Sequence, residues 1–295
     1  MIVVTAATGN IGKVLVEELL QRKEKVRALG RDPKKLESLA KAGAETVMTD
    51  LTDPSAVKKS FQGADAVFTL IPPRYAAPNV VAYYGSVGQA YADALKEVQV
   101  KFVVNLSSIG AHLSDKTGPI KGLHQVEEKL NRLSEANILH LRPPYFMENL
   151  FMNLGLIKEK GINGSPLKPD LSLPMIATQD IATFAADRLA KRDFKGHTVV
   201  ELHGQRELSM AEATQALGEA LGNPGLPYVQ FPYDDALKAM VGMGLSQDVA
   251  GSFIEMYQAF NDGIVQPTQP RSDTSTTRTS IEEFAKTFTE AYRKG

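Results

Sequence analysis

Short apolar runs alternate with longer amphipathic stretches along the first 140 residues of the chain. The runs carry few polar positions, which is typical of parallel strands that are buried on both faces. The stretches between them repeat apolar residues at helical spacing, as Ile11, Val14, Leu15 and Leu19 do. The pattern predicts six strands: Ile2–Thr5, Lys25–Leu29, Glu45–Met48, Ala66–Leu70, Phe102–Leu106 and Ile138–Leu141.

Strands that alternate with helices form parallel sheets, and their crossovers are right-handed. We therefore predict an α/β fold, a doubly wound parallel sheet of the Rossmann type, over residues 1–143. Residues 144–295 are predicted to form mainly a smaller α/β substrate lobe, with about 174–203 returning to the sheet.

The pattern changes after Arg142, where proline, glycine and asparagine become frequent. Residues 236–262 are rich in methionine and aromatic residues, which suit either a pocket wall or the core of the lobe. Proline, serine and threonine dominate Gln266–Ser280, which we interpret as an exposed connector. The other predicted elements are helices over Glu148–Glu159, Gln179–Ala190, Ser209–Leu221 and Ile281–Tyr292 and a strand over Thr198–Leu202.

The composition limits the kinds of site and partner that the chain can have. It has no cysteine, which excludes disulfides, thiolate metal sites and a cysteine nucleophile, and its histidines form no metal-ligand spacing. The 33 basic and 34 acidic residues nearly balance, so we expect no direct binding of nucleic acid or of an anionic membrane. No apolar run approaches the roughly 20 residues of a membrane span, and we expect a cytoplasmic protein.

The segment Val3–Lys13 leaves the first predicted strand and enters the first predicted helix. Gly9 and Gly12 stand three apart there, as a dinucleotide pyrophosphate requires for close approach to a helix N-terminus. Ala6 occupies the place of a third glycine, so the motif is incomplete. A triphosphate loop would need serine or threonine after Gly12-Lys13, and valine follows instead. The turn predicts a dinucleotide site.

The end of the second strand distinguishes the two nicotinamide coenzymes. An NAD site places a carboxylate there, whereas NADP needs a cation for the 2′-phosphate. The strand tip has no acid, and Arg31 and Lys35 follow it, which favours NADP(H) over NAD(H). Two alternatives remain: a merely solvated basic turn, or Asp32 as an NAD ligand if the strand is longer. Asp32 precedes Pro33 and could also cap the next helix.

These residues resemble the NmrA-like proteins, atypical members of the short-chain dehydrogenase/reductase superfamily. The likeness lies in the Thr5–Gly12 turn, in Arg31 and Lys35, in Asp50-Leu51, and in the run Leu141–Asn149. The resemblance implies a phosphorylated coenzyme and a substrate contacted by Phe146 and Asn149. The coenzyme-binding residues that it implies are Thr8, Gly9, Asn10, Ile11, Gly12, Arg31, Lys35, Asp50, Leu51, Leu70, Ile71, Pro72, Ser107, Ser108 and Tyr145.

Ordinary short-chain dehydrogenases use a tyrosine four residues before a lysine on one helix, and this pair is missing here. His124 and Glu128 have the same spacing in the corresponding helix, which resembles the quinone- and dye-reducing branch of the family. His124 is our candidate catalytic residue, with Glu128 expected to fix its tautomer and raise its pKa. The alternative is a surface histidine paired with glutamate.

Two functions follow from this pattern. The first is an NADP(H)-dependent oxidoreductase that transfers a hydride to a small apolar acceptor such as a quinone or a dye. The second is a non-catalytic regulatory protein of the NmrA type that senses NADP(H). The sequence leaves open a homodimer or a protein partner, and also whether Gln266–Ser280 closes over the site.

Overall fold

A seven-stranded parallel sheet forms the centre of the protein in a computed structural model, which describes residues 1–294. In chain order the strands are β1 (Ile2–Val4), β2 (Val26–Gly30), β3 (Glu45–Met48), β4 (Ala66–Thr69), β5 (Phe102–Leu106), β6 (Asn137–Arg142), β7 (Tyr145–Phe146), β8 (Asn163–Ser165), β9 (Ser172–Ile176), β10 (His197–Glu201), β11 (Glu207–Ser209) and β12 (Tyr228–Gln230). The central sheet has the order β10-β6-β5-β4-β1-β2-β3. All six strands predicted in the first 141 residues lie in it.

Helices cover both faces of this sheet. In chain order the α-helices of the described residues, including those of the second half of the chain, are α1 (Asn10–Gln21), α2 (Pro33–Lys41), α3 (Pro54–Phe61), α4 (Val80–Val98), α5 (Ile120–Leu130), α6 (Leu154–Lys160), α7 (Thr178–Lys191), α8 (Met210–Leu221), α9 (Tyr233–Gly242), α10 (Gln247–Asn261) and α11 (Ile281–Lys294). Ile2 and Val4 pack into the core under α1 and α7, whereas Val3 packs into the opposite core under α3 and α4. The doubly wound Rossmann-type fold is therefore confirmed.

The second half of the chain forms a smaller lobe with a core of its own. There β9 pairs with β7 and β11 in a three-stranded sheet, and β8 pairs with β12. After β9 the chain returns to the large sheet, where α7 packs beside α1 and β10 pairs with β6. Among the methionines of residues 236–262, Met240 is buried between α9 and α10, while Met243 is exposed.

The predicted helix Glu148–Glu159 is wrong in its first half. Residues Met147–Asn153 form a 3₁₀ helix, and α6 begins only at Leu154. The tighter turn directs the Glu148 carboxylate to the start of α7, where it accepts hydrogen bonds from the Thr178 amide at 2.9 Å and its hydroxyl at 2.6 Å. A contact with a distant helix therefore decides the local conformation.

The connector predicted over Gln266–Ser280 is exposed at about half of its positions, as expected, but it is more firmly bound to the protein than the prediction implied. The segment is irregular, but Ser275 and Thr279 are buried. The fully buried Glu201 carboxylate at the end of β10 accepts from the amides of Thr268 and Gln269 at 2.6 and 2.9 Å. These polar residues serve as partners for buried groups, so the segment is a strap fastened along the edge of the sheet.

A ladder of buried polar side chains crosses the centre of the sheet. The Thr69 hydroxyl donates to Asn105 Oδ1 at 2.9 Å, and Asn105 Nδ2 donates to His140 Nδ1 at 3.1 Å. His140 Nε2 in turn donates to Asn131 Oδ1 at 3.0 Å. His140 is thus bound as the neutral ring, and its burial lowers its pKa to about 4.

We expect this ladder to make stability depend on pH. The His140 pKa is about 4 in the folded protein against an ordinary 6.5, so the unfolded chain binds the proton more readily between these values. The free energy of unfolding should therefore be fully retained above pH 6.5 and fall by up to roughly 3 kcal/mol as the pH drops to 4. Urea unfolding at pH 7.5 and 4.5 measures this.

His140→Gln should reduce the loss between the two pH values by roughly 2 kcal/mol. His112→Gln, a change at an exposed loop histidine, is the matched control and should leave the loss as it is in the parent protein. An unchanged pH dependence in His140→Gln would contradict the assignment.

Candidate functional site

The order of the sheet creates a crevice at the carboxyl end of β1. From β1 the chain continues to β2 and β3 on one side, whereas β4, β5 and β6 lie on the other. Ligands of doubly wound sheets bind outside the strand ends at such a switch point. The two strands are tied together there, because Thr5 Oγ1 accepts from the Leu70 amide at 2.8 Å. Tyr91 supports the same loop by donating to the Leu70 carbonyl at 2.9 Å.

The turn between β1 and α1 is tight and leaves no space for larger residues. A Cβ at Gly12 would lie 2.4 Å from the Ala6 carbonyl oxygen and 2.7 Å from Ala7 Cα. Ala6 itself adopts the left-handed conformation, with φ of +49°. That conformation costs an alanine roughly 1 kcal/mol more than a glycine, which explains why glycine is expected at this position.

The first turn of α1 presents its amides to this crevice. Gly9 is the N-cap residue and has no side chain to accept from them, and the first turn contains no acidic residue. Gly9 and Asn10 are exposed, whereas Ile11 and Gly12 are buried against the sheet. Free amides and the positive end of the helix dipole together attract an anion.

Cations lie beside this crevice, beyond the end of β2. The side chains of Arg31 and Lys35 are exposed and have no hydrogen-bond or ion-pair partner within residues 1–294. Asp32 is the N-cap of α2, where its carboxylate accepts from the amides of Lys34 and Lys35 at 2.9 and 3.4 Å. Asp32 therefore has the capping role that the sequence left open.

Asp50 and Leu51 follow β3 on the far side of the same crevice. The Asp50 carboxylate accepts from the Thr52 amide at 2.9 Å and from its hydroxyl at 2.7 Å. These hydrogen bonds lower the Asp50 pKa, and the charges of Arg31 and Arg74 lower it further. Leu51 is buried and joins the core between α3 and the sheet. Asp50 therefore builds the turn, and Arg74 is a nearby cation that the sequence did not suggest.

The loops after β4 and β5 lie at the same carboxyl edge of the central sheet. Ile71 is buried, and Leu70 and Pro72 are half-buried. The Ser107 hydroxyl is buried near the Glu127 carboxylate but makes no hydrogen bond of ordinary geometry with any residue that the structure describes. Ser108 beside it is half-buried. An orphaned hydroxyl at a strand end is the group that a bound ligand would satisfy.

His124 lies on α5 above the loop that follows β5. Its Nδ1 donates to the Ala111 carbonyl at 2.9 Å, while its Nε2 lies 3.7 Å from the Glu128 carboxylate. The Ala111 carbonyl, and not Glu128, therefore fixes the tautomer. The neutral ring carries its hydrogen on Nδ1, so only a protonated His124 could donate through Nε2.

Beside His124 on the same helix, Glu127 forms a buried bidentate ion pair with Arg142, at 2.9 and 2.6 Å. Burial is the largest influence and would raise the Glu127 pKa, but the hydrogen bonds from Arg142 together with other polar and charged neighbours outweigh it and keep the pKa below its ordinary value. The pair fixes α5 to the end of β6, directly before β7. This ion pair could not be predicted from the sequence, because its two residues are polar, buried and 15 positions apart.

The remaining predicted residues belong to the junction of the two lobes. Tyr145 packs against the core of the small lobe, and its burial raises the pKa of its hydroxyl. Phe146 packs against the core of the large sheet. Asn149 is exposed on the 3₁₀ helix that follows β7.

Helix α10 of the small lobe docks against two of the loops at this edge. Ser246, its N-cap, donates to the Tyr75 carbonyl at 2.9 Å, and Asp248 accepts from the Val80 amide at 2.7 Å. Glu255 accepts from Lys121 at 3.0 and 3.1 Å at the start of α5. The helix therefore spans the distance between the loop after β4 and the loop before α5.

This fold and site define a class of dinucleotide-binding α/β proteins, and sequence comparison identifies the family. The chain belongs to the NmrA-like family, whose model matches residues 1–288. It is 31% identical to an NAD(P)H azoreductase from Xenophilus azovorans, over 87% of this chain and 86% of that protein. It is 27% identical to the prestalk A differentiation protein A of Dictyostelium discoideum, over 97% and 91%.

The fold also matches solved structures. An NADPH-dependent quinone oxidoreductase from Escherichia coli, solved in complex with NADPH, superimposes with a TM-score of 0.81 at 21% identity. The match covers 98% of this chain and 99% of that one. No helix within residues 1–294 is long and apolar enough to cross a membrane.

The close approach at Gly12 gives a direct test of the turn. Gly12→Ala should lower the free energy of unfolding by roughly 2 kcal/mol, because the new methyl group meets backbone that cannot move aside easily. Urea unfolding measures the change. Gly155→Ala in α6 is the matched control, since nothing lies within 4 Å of that position, and it should stabilise the protein by about 0.5 kcal/mol. Equal effects of the two substitutions would contradict this geometry.

Proposed function

We propose that the chain is an NADP(H)-dependent oxidoreductase that transfers a hydride to a small, flat, apolar acceptor of the quinone or dye type. The observation that carries the proposal is the charge pattern of the crevice, where an uncapped helix N-terminus lies next to exposed cations without partners. The first suits a diphosphate, and the second suits a phosphorylated ribose. The azoreductase and quinone oxidoreductase relatives support the same chemistry.

The residues present fit such a coenzyme. We assign the pyrophosphate to Thr8–Gly12, the ribose phosphate to Arg31 and Lys35, and the adenine to Asp50 and Leu51. We assign the nicotinamide end to Leu70, Ile71, Pro72, Ser107, Ser108 and Tyr145. The unpartnered Ser107 hydroxyl supports this placement, because it is buried at the strand end that a nicotinamide ribose would face. When bound, the reduced nicotinamide supplies the hydride.

The protein's own contribution is chiefly positioning. Quinones and cationic dyes accept a hydride readily, and protonation can follow from solvent, so orientation accounts for most of the catalysis. We assign Phe146 and Asn149 to the acceptor side, where the two lobes meet and where α10 is bound to the start of α4 and to α5. His124 would act as a proton donor only in its protonated form, because its neutral form donates to Ala111.

The non-catalytic alternative, an NADP(H)-sensing regulatory protein, has less support. The same crevice would serve it, since fold alone does not decide function. The names of the azoreductase and of the quinone oxidoreductase each state a redox reaction. The name of the Dictyostelium relative states a role in differentiation and no reaction. Turnover therefore separates the two functions.

The purified protein should oxidise NADPH with a quinone or an azo dye far faster than buffer does, and it should prefer NADPH to NADH. Steady-state absorbance at 340 nm follows the reaction. Arg31→Ala should raise the KM for NADPH about tenfold and leave that for NADH unchanged, because a charge-assisted contact is lost. His124→Gln should reduce kcat several-fold if the histidine donates a proton.

Arg132→Ala, which removes an exposed arginine after α5, is the matched control and should behave as the parent protein does. NADPH binding without turnover on any quinone or dye would favour the sensor. An intact NADPH preference in Arg31→Ala would refute our assignment of the ribose phosphate.

A further inference from the structure

Arg74 belongs to the loop that follows β4, and its charge acts at the same place as that of Arg31. The two residues approach from opposite sides of β1, because Arg31 follows β2 and Arg74 follows β4. Neighbouring strands are about 4.8 Å apart, so these two strand ends are about 10 Å apart. The Asp50 pKa, lowered mainly by the hydrogen bonds from Thr52, is lowered further by both arginines. The Asp50 carboxylate on the loop after β3 is therefore under the influence of both charges.

The structure holds Arg74 in a fixed position. Its guanidinium lies 5.9 Å from the centre of the Tyr83 ring on α4, a cation–π arrangement. The Tyr83 hydroxyl donates to the Pro72 carbonyl at 3.0 Å, and the Ala77 amide donates to the Arg74 carbonyl at 2.9 Å. The loop is further tied to α10 by the bond from Ser246 to Tyr75. Arg74 is therefore presented on a supported loop and not on a free one.

Positive charge is in excess at this place. The side chains of Arg31, Lys35 and Arg74 form no hydrogen bond or ion pair with any residue of the described chain, 1–294. Asp50 is exposed and already accepts two hydrogen bonds from Thr52. Three cations beside two carboxylates, Asp32 and Asp50, whose oxygens already accept local hydrogen bonds, leave a site that suits a dianion such as a phosphate monoester.

We propose that Arg74 is a specificity-determining residue that contacts the coenzyme's 2′-phosphate from the side opposite Arg31. The phosphate is then held between two guanidinium groups that come from separate strands, with Tyr83 as the positioning residue for Arg74. This inference rests on the proposed function and adds to it a second discriminating contact. It gives the 2′-phosphate a third cation beside Arg31 and Lys35, and all three side chains are exposed to solvent.

Binding measurements test this without turnover. NADPH and NADH are titrated by fluorescence, and adenosine 2′,5′-bisphosphate by calorimetry, against the parent protein, Arg74→Ala, Arg74→Lys and Arg31→Ala. Arg74→Ala should weaken NADPH and the bisphosphate about tenfold and NADH less than twofold. Arg74→Lys should lose about threefold, since it keeps the charge but not the planar fork. Arg132→Ala is the control for loss of an exposed arginine.

Tyr83 variants test the positioning role. Tyr83→Phe keeps the ring and should keep the preference for NADPH, whereas Tyr83→Leu should lower that preference about threefold with little effect on NADH. Circular dichroism checks that each variant is folded, and Arg74→Gln serves as a second neutral variant.

The outcomes separate this inference from the proposed function. If Arg31→Ala lowers the NADPH preference but Arg74→Ala does not, the inference is wrong and the proposed function stands. If Arg74→Ala weakens both coenzymes equally, Arg74 contacts the shared adenosine or only the loop, and the inference is again overturned. If the parent protein has no preference for NADPH, both fail.

Discussion

The close packing of α1 against the end of β1 is the constraint on which the site depends. With no side chain at Gly12, the helix starts within van der Waals distance of the Ala6 and Ala7 backbone. Ala6 accepts a left-handed conformation to turn the chain within this space. The result is a helix N-terminus at the switch point of the sheet, with no side-chain cap on its amides. The other candidate residues are assigned by the strand ends that they follow on either side of this helix N-terminus.

The two sides of the crevice differ in character. The side of β2 and β3 is exposed and cationic, with Asp32 and Asp50 both occupied in local turns. The side of β5 and β6 is buried and carries no net charge, since Glu127 and Arg142 form an ion pair and His140 is held in its neutral form. A ligand that is charged at one end and apolar at the other matches this gradient. A phosphorylated dinucleotide with a nicotinamide end has this distribution of charge.

The sequence was sufficient where a local pattern determines the structure. Strands buried on both faces leave continuous apolar runs, so the sheet and the positions of Gly12 and Arg31 at its edge could be predicted. Prediction from the sequence failed where a residue far away in the chain determines the local structure. Glu148 turns toward Thr178, and Glu201 binds Thr268 and Gln269, so neither the 3₁₀ helix nor the strap has a local signal.

The same distinction applies to the candidate site. The spacing of His124 and Glu128 was visible, but the Ala111 carbonyl that holds the ring is a backbone group 13 residues away. Arg74 could not be singled out from the sequence, because its importance depends on where the loop between β4 and α4 places it relative to Tyr83 and Asp50.

Hydrogen exchange of the backbone amides with and without NADPH tests the central claim most directly. The amides of Asn10, Ile11 and Gly12 are the groups that should receive the diphosphate. We predict that saturating NADPH slows their exchange at least tenfold, and that the exposed surface of α9 around Met243 is unaffected. Binding of NADPH with unchanged exchange at these three amides would contradict the account.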